Sequence, residues 1–409
     1  MRLLLAAPLL LAMPIAAIAR PVTFRDALAR AAHTAPLLRA RALDLEARHS
    51  TASAAGRLPD PKLGISLDNF PVTGPPAGTF AGDSMTAQRI GISQDIPNLA
   101  KRHARIDRAE ADAVAAEANG LSEARRVRVA TALAWISLAY AERRFSAIDE
   151  VIASLRPLGI ASQSGVVSGS ARPAQTLDIQ QVLATLEDRR SQAIADVGRA
   201  RAALARWTGD GDVEVSGDMP QFTVDPVALR AELDHHPDLG VAGARTRQTE
   251  AEVTLARAEK RPDWGFDVAY QRRADRYGDM VSAGVTVSLP LFAKKRQDPM
   301  IAASLASVGA AMAEQEEMRR SLIADLESGL ADHVLHHDQW MRARDTLLPL
   351  AQRRADLETA SYSARRAGLL DVIQARSMLA DLQLQTLDRE AEVARDAARL
   401  VLTYGGDDR

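Results

Sequence analysis

The feature that most constrains this chain of 409 residues is that it repeats itself. Gly91-Ile92-Ser93-Gln94-Asp95-Ile96-Pro97 aligns with Gly284-Val285-Thr286-Val287-Ser288-Leu289-Pro290 at an offset of 193 (284 − 91), and Lys101 then falls on Lys294. Far downstream, Leu177-Asp178-Ile179 aligns with Leu370-Asp371-Val372 at the same offset of 193 (370 − 177). Two matches so far apart with no net gap mark a tandem duplication. Upstream, Pro59-Asp60 meets Pro262-Asp263 at an offset of 203 (262 − 59), which makes the first copy about ten residues longer between its two strands. Each half reads as helix, strand, loop, strand, long helix, turn, helix. The predicted organisation is a first repeat over 20–207 with a β-hairpin at about 62–96, a linker over 208–225, and a second repeat over 226–409 with a hairpin at about 264–289.

The strands are read from alternation. Trp264, Phe266, Val268 and Tyr270 are large and apolar, with Gly265, Asp267 and Ala269 between them. Val281, Ala283, Val285, Val287 and Leu289 alternate with Ser282, Gly284, Thr286 and Ser288. The first copy repeats this with Leu63, Ile65 and Leu67, then Ile90 and Ile92. Alternation predicts one apolar and one polar face, which suits a soluble sheet packed on helices as well as a barrel wall. Strands of about ten residues have the length that a tilted membrane strand needs. The Pro- and Gly-rich run from Pro71 to Gly82 reads as an exposed loop.

Long helices follow the strands. Val127, Thr131, Ala134, Leu138, Ala141, Phe145, Ile148, Ile152 and Leu155 recur at steps of four and three, as do Leu370, Ile373, Ser377, Ala380, Leu384, Leu387, Ala391, Ala394, Ala398 and Val401. Sustained heptads predict coiled-coil packing, in a cylinder or in an ordinary antiparallel bundle, and about 60 residues of helix would reach about 90 Å. Pro157 and Pro349 are expected to kink or end helices.

Residues 1–19 read as a secretory signal: Arg2, an apolar run from Leu3 to Ala17, and the small-x-small site Ala17-Ile18-Ala19. The other reading is a single membrane anchor, for which the stretch is short. Composition removes several function classes. With 51 basic and 53 acidic residues there is no field to attract nucleic acid. Without cysteine there are no disulfides, thiolate metal sites or cysteine nucleophiles. No phosphate-cradling glycine loop or nucleophile elbow is present, so no enzyme and no cofactor are expected. His333 and His337 are one helical turn apart beside His336, Asp332 and Asp338, and read as a solvated helix face rather than a metal site.

Strands, long heptad helices and duplication behind an export signal resemble the TolC family of outer-membrane factors. The phrases Leu58-Pro59-Asp60-Pro61, Asp68-Asn69-Phe70-Pro71, Gln94-Asp95-Ile96-Pro97 and Leu289-Pro290-Leu291-Phe292 look most like its heavy-metal efflux branch, the CzcC and CusC type. The resemblance implies a mixed α/β fold: a trimeric β-barrel, four strands per subunit, continued by a long α-helical barrel through the periplasm. It also implies a belt formed by Thr208 to Val224 and the C-terminal tail. Its partners would be two further copies, a periplasmic adaptor (membrane fusion) protein, an inner-membrane pump of the RND type and outer-membrane lipid. The function implied is passive conduction to the exterior. A type I secretion or multidrug duct is the alternative within that class, and a soluble periplasmic scaffold or adaptor the alternative outside it.

The resemblance also singles out residues. Tyr362 to Asp371 looks like the family's periplasmic tip, where Gly368 would permit the turn and Leu369 would offer an apolar knob to an adaptor, beside Arg366. Gly165 and Val166 are the first-copy counterparts, before a longer Ser/Gly/Pro stretch that ends at Pro173. Asp178 and Asp371 would start the two returning helices and line a narrowed entrance, with Gln374 where some members of the family carry a second acid. The bland reading of Asp371 is an acid in a first helical turn, favourable to the helix dipole.

Overall fold

The structure, a computed structural model, describes residues 20–167 and 173–406. Residues 1–19, where the export signal is expected, the stretch 168–172 and residues 407–409 lie outside the described residues. The first copy contains β1 (Arg20–Val22), α1 (Phe24–Thr34), α2 (Pro36–Ala55), β2 (Lys62–Asp68), β3 (Ala87–Ile96), α3 (Leu99–Val167) and α4 (Pro173–Thr208). The linker contains β4 (Val213–Val215), and the second copy contains α5 (Pro226–Ala231), α6 (Pro237–Ala258), β5 (Asp263–Arg272), β6 (Met280–Ser288), α7 (Gln297–Arg342), α8 (Leu348–Ser363) and α9 (Leu369–Tyr404). Each copy thus opens with two helices where one was expected. Pro36 and Pro237 are the cause: each is the first residue of a new helix, where its missing N–H costs nothing.

The two copies are not the packing units. One compact unit draws on residues 1–36, 124–233 and 324–409, and the other on 37–123 and 234–323, so each takes elements from both halves.

The second of these holds the four strands of both hairpins in one antiparallel sheet, ordered β2-β3-β5-β6. Pairing of Leu63 with Ile92, Ile92 with Val268 and Val268 with Ala283 puts apolar residues of all four strands in one row. The next row is Ile65, Ile90, Tyr270 and Val281. Among the described residues of this unit no helix covers this apolar face. Ile65 is 77% exposed, Val281 73% and Val285 60%, and Trp264 and Tyr270 stand uncovered at its two ends. The opposite face carries Ser66, Arg89, Ser93, Asp267 and Gly284, with Arg89 and Asp267 paired at 3.6 Å and Lys62 and Asp95 at 2.6 Å. A soluble sheet would turn its apolar face inward; this one turns it outward.

Beyond the strands, the hairpin connections are fastened to each other. Asn69 takes a left-handed φ of 53°, and its carbonyl accepts from the buried Thr86 hydroxyl at 3.0 Å. Arg273 donates to the carbonyl of Ser84 at 3.3 Å, and Arg276 donates to that of Ala81.

The other unit holds most of the helical core. The predicted stripes are its seams: Val127, Thr131, Leu138, Ile148, Ile152 and Leu155 of α3 are buried, as are Ile373, Ala380, Leu384, Ala391, Ala398 and Val401 of α9. Around Trp135 the helix is buried beyond the stripe, and Ile136 is inaccessible as well. Here β1 pairs in parallel with β4, Val22 opposite Val215, and Met219 and Phe222 pack on the same cluster. The Trp135 indole donates to the carbonyl of Val22 at 3.0 Å, and Phe24 meets its ring edge-on with centroids 5.5 Å apart. At the C-terminal end, Arg125 donates to the carbonyls of Thr403 at 3.0 Å and Gly405 at 3.2 Å.

Neither proline ends its helix. Pro157 lies inside α3, which runs on to Val167. Pro349 follows a π-helical turn, Ala343–Leu347, that links α7 to α8. A wider turn there relieves the clash between the proline ring and the preceding carbonyls. Among the described residues no helix is long and apolar enough to cross a membrane.

Replacing Trp135 by alanine is expected to cost about 3–5 kcal/mol, because it opens a large cavity and leaves the Val22 carbonyl with the Ser216 amide, at 3.2 Å, in place of two donors. Trp135→Phe, which keeps a ring but no donor, should cost less. Thermal unfolding followed by helical circular dichroism measures both, and a Trp135→Phe midpoint equal to that of the native protein would contradict the role given to the indole N–H.

Candidate functional site

The sequence points to the turn between α8 and α9, and the structure builds it differently from expectation. Helix α8 closes with the amides of Ala364, Arg365 and Arg366 donating to the carbonyls of Ala360, Tyr362 and Ser361, the last at 2.8 Å. The residue that takes the left-handed conformation is Arg365, with φ 58°. Gly368, expected to permit the turn, has φ −80° and ψ 158° and caps the start of α9. Its amide donates to the Asp371 carboxylate at 2.9 Å. Asp371 therefore sits exposed in the first turn, facing the unsatisfied amides and the positive end of the helix dipole.

Leu369 also differs from expectation. It is only 6% exposed and packs with Ile179 of α4 and Ile373 of α9, so it is a core residue of the tip and not a free knob. Alternation between helix cap and apolar stripe explains this: Leu369 precedes Ile373 by one turn, on the buried face. The turn exposes Tyr362, Ser363, Ala364, Arg365 and Arg366, of which Tyr362 and the two arginines are the large side chains. Gly159 faces α4 at this level, and a Cβ there would meet Ile179 and Leu183 in ordinary contact at 3.4 and 3.5 Å. Gly165 and Val166 belong to the last turn of α3, and their side chains lie outside the described residues, as does the stretch 168–172.

Asp178 and Asp371 match in sequence but not in helix position. Helix α4 begins at Pro173, so Asp178 lies beyond its first turn, and no acid occupies that turn. Asp178 instead lines a groove of about 840 Å³ between α4 and α9, together with Gln374, Thr185, Ser377 and Met378. Asp371 stands at the helix start, outside the groove lining. The structure thus joins Asp178 to Gln374 and leaves Asp371 apart.

Sequence reading missed the charges that tie these helices together. Arg189 of α4 pairs with Asp381 of α9 in the same groove. Arg190 of α4 pairs with Asp149 of α3, and Arg144 of α3 pairs with Asp388 of α9 at 2.6 Å. Each residue lies in a charged helical run, where sequence shows the charge but not the partner. Burial holds Asp388 above the usual carboxylate range, against the pull of Arg144. Such half-exposed pairs contribute roughly 0–1 kcal/mol each.

The histidines diverge. His336 Nδ1 meets Asp396 of α9 at 2.6 Å, while His333 and His337 lie with ring centroids 6.2 Å apart. Among the described residues no three His, Asp or Glu side chains gather as a metal-holding group. Donation of a hydrogen bond to the Asp396 carboxylate raises the His336 pKa, and burial lowers that of His333.

Comparison with known proteins follows this geometry. Residues 228–406 match the family model described as outer membrane efflux protein. The chain is 24% identical over 378 residues to the cobalt-zinc-cadmium resistance protein CzcC of Cupriavidus metallidurans, covering 90% of this chain and 86% of that protein. Its fold is similar to the CmeC outer membrane channel of Campylobacter jejuni, with TM-score 0.80 and 13% identity over 93% of this chain and 85% of the other. It is equally similar to CusC, with TM-score 0.80 and 14% identity over 94% and 92% of the two chains.

The His336–Asp396 pair generates a pH prediction. A raised folded-state pKa contributes stability that is complete below the ordinary imidazole pKa and fades as pH rises through the folded value. His333, with a lowered pKa, acts oppositely: its contribution fades as pH falls through that value. His336→Gln should therefore flatten the loss of thermal stability as pH rises above the ordinary imidazole pKa, while below that pKa it lowers stability without changing its slope. An unaltered alkaline slope in the variant would show that the pair is not what titrates.

Proposed function

We propose that this chain, which belongs to the TolC family of outer membrane efflux proteins, is the exit duct of a tripartite system that expels heavy-metal cations. The family is one of outer-membrane channels, with a β-barrel in the membrane and a helical barrel in the periplasm, and members work as homotrimers with an adaptor and an inner-membrane pump. What carries the reading for this chain is the uncovered apolar face of the four-stranded sheet. Strands with an apolar band bounded by Trp264 and Tyr270 suit a lipid-facing wall between two interfacial belts. Unpaired edges on β2 and β6 are not tolerated in hydrocarbon, and three copies joined edge to edge remove them. The polar face then lines the lumen, with Arg89 and Asp267 inside.

Heavy-metal cargo is supported by the likeness to CzcC along 90% of the chain and by the phrases shared with that branch. Conduction on this reading is passive, and an inner-membrane RND pump supplies energy and selection. At the tip, Asp178 and Asp371 supply negative charge, which favours cations at the entrance in a three-fold assembly. Gln374 weakens the second position of that ring. The exposed Arg365 and Arg366 and the face of Tyr362 form the surface offered to the periplasmic adaptor, with Gly165 and Val166 on the first-copy side. Opening separates α4 from α9 along the groove that Arg189 and Asp381 bridge.

The test begins with the outer-membrane fraction: detergent extraction and sizing should give a trimer, and reconstitution in planar bilayers should give cation-preferring conductance. Asp178→Asn with Asp371→Asn should lower the cation preference, and Arg189→Ala should raise open probability. Resistance to cobalt, zinc or cadmium should be lost when the gene is deleted. A soluble periplasmic monomer would overturn the channel, whereas loss of drug tolerance with metal resistance intact would leave the channel and overturn the cargo.

A further inference from the structure

The duplication places the same cations at the foot of both hairpins, yet the two copies use them in opposite ways. In the first copy α3 begins at Leu99, and Lys101 lies within it, its amine 2.6 Å from Asp263 and 3.4 Å from Glu259. Arg102 donates to the carbonyl of Gly56 at 2.9 Å. Both cations are consumed in fastening the unit together. At the offset of 193 (294 − 101) the second copy has Lys294, Lys295 and Arg296. Helix α7 begins only at Gln297, and the three cations sit in or beside a short 3-10 turn, Ala293–Lys295. All three are exposed, and none forms an ion pair among the described residues. The nearest acid in sequence, Asp298, is already paired with Lys260.

Immediately before them stand Leu289, Leu291 and Phe292, which are 61%, 76% and 75% exposed. They continue the outward apolar face of β6, on which Val285 and Val287 are also uncovered, and Trp264 stands at the start of β5 at the same level, opposite Val287. Large apolar side chains followed at once by unpaired cations are the pattern of an interfacial segment: the rings enter the acyl boundary and the cations meet phosphates.

We infer that Leu289 to Arg296 is a binding surface for anionic phospholipid headgroups, docking the foot of the barrel into the phospholipid leaflet at the helical end of the strands. This rests on the barrel reading above. Charge complementarity argues for an anionic headgroup, and continuity with the apolar sheet face argues for a lipid over a protein partner. The first copy, whose matching cations are internally paired, takes no part, so each subunit contributes one such surface.

Lipid titration of the full-length, detergent-extracted protein, read by native mass spectrometry, tests this with phosphatidylglycerol and phosphatidylcholine. Phosphatidylglycerol should bind more tightly, and Lys294→Gln with Lys295→Gln and Arg296→Gln should weaken it on the order of a hundredfold, about fivefold per cation. Binding of phosphatidylcholine should be unchanged in that variant. Lys294→Arg with Lys295→Arg should retain the preference, which separates charge from fold. Leu291→Ser with Phe292→Ser should weaken both lipids. Equal affinity for the two lipids in the native protein, or an unaffected triple variant, would overturn the inference. So would dissociation of the oligomer by the triple variant in lipid-free detergent, because the surface would then be a contact between copies. A chain that sizes as a soluble monomer sinks the channel role instead, and its binding to phosphatidylglycerol vesicles still decides this surface.

Discussion

A sheet of four strands with an outward apolar face is unsatisfied in two directions. Its edges, β2 and β6, each have one unpaired side, and its large side chains face away from every helix. In water both features invite aggregation. In a bilayer the apolar face is satisfied, but each bare backbone group at an edge costs several kcal/mol, so the edges must close on other copies. The polar face, with its Arg89–Asp267 pair and glycines, is tolerable only around water. Export, oligomerisation and a hollow interior are therefore consequences of one arrangement of side chains, and the remaining elements are compatible with it. No described helix could substitute as a membrane anchor.

The helical unit has a gradient of firmness that matters for a duct that must open. At the belt, Trp135, Ile136, Leu138, Leu204 and Val22 are all inaccessible, with Phe24 and Phe222 stacked edge-on around them. At the tip the cluster shrinks to Ile179, Leu369 and Ile373. Between them the seam of α9 is largely alanine and leucine, and the connections across to α3 and α4 are half-exposed ion pairs. Small side chains interlock shallowly, and solvent-screened pairs are cheap to break and reform. Under the proposed gating, the end of the helices away from the aromatic core is the one with least to break. The wider turn before Pro349 lies between the two regions and breaks the regular ladder there.

Much of this was legible in the sequence because two periods carry it. Alternation located all four strands to within about a residue at most ends, and steps of three and four picked out the residues that line the helical seams. The duplication supplied the order of elements. What remained hidden depends on contacts distant in sequence. β1 and β4 are three residues each, too short for a periodic signal, and they exist because Val22 and Val213 close over Trp135. Arg365 in the left-handed region could not be foreseen while a glycine stood three residues away, and composition points to the glycine. Leu369 looked free because it lies in a turn, but its neighbour Ile179 comes from the other copy. Ion-pair partners such as Arg189 and Asp381 are separated by most of the second copy, and charge runs do not name partners.

Divergence between the copies then explains which residues are available for function. Equivalent positions began with equivalent environments, so each difference marks where the two copies came to act differently. Asp178 lies past the first turn of its helix and faces the groove, whereas Asp371 is drawn to the Gly368 amide. An acid held by a helix start keeps its charge fixed in place, while one in the groove can respond as α4 and α9 separate. The same asymmetry governs the barrel foot, where Lys101 is locked between Asp263 and Glu259 and its counterpart Lys294 is exposed. In both cases one copy supplies rigidity and the other keeps a charged group free to meet something outside the subunit. A duplicated chain can divide labour in this way because the fold needs each fastening only once, which leaves the second set of side chains open to new contacts.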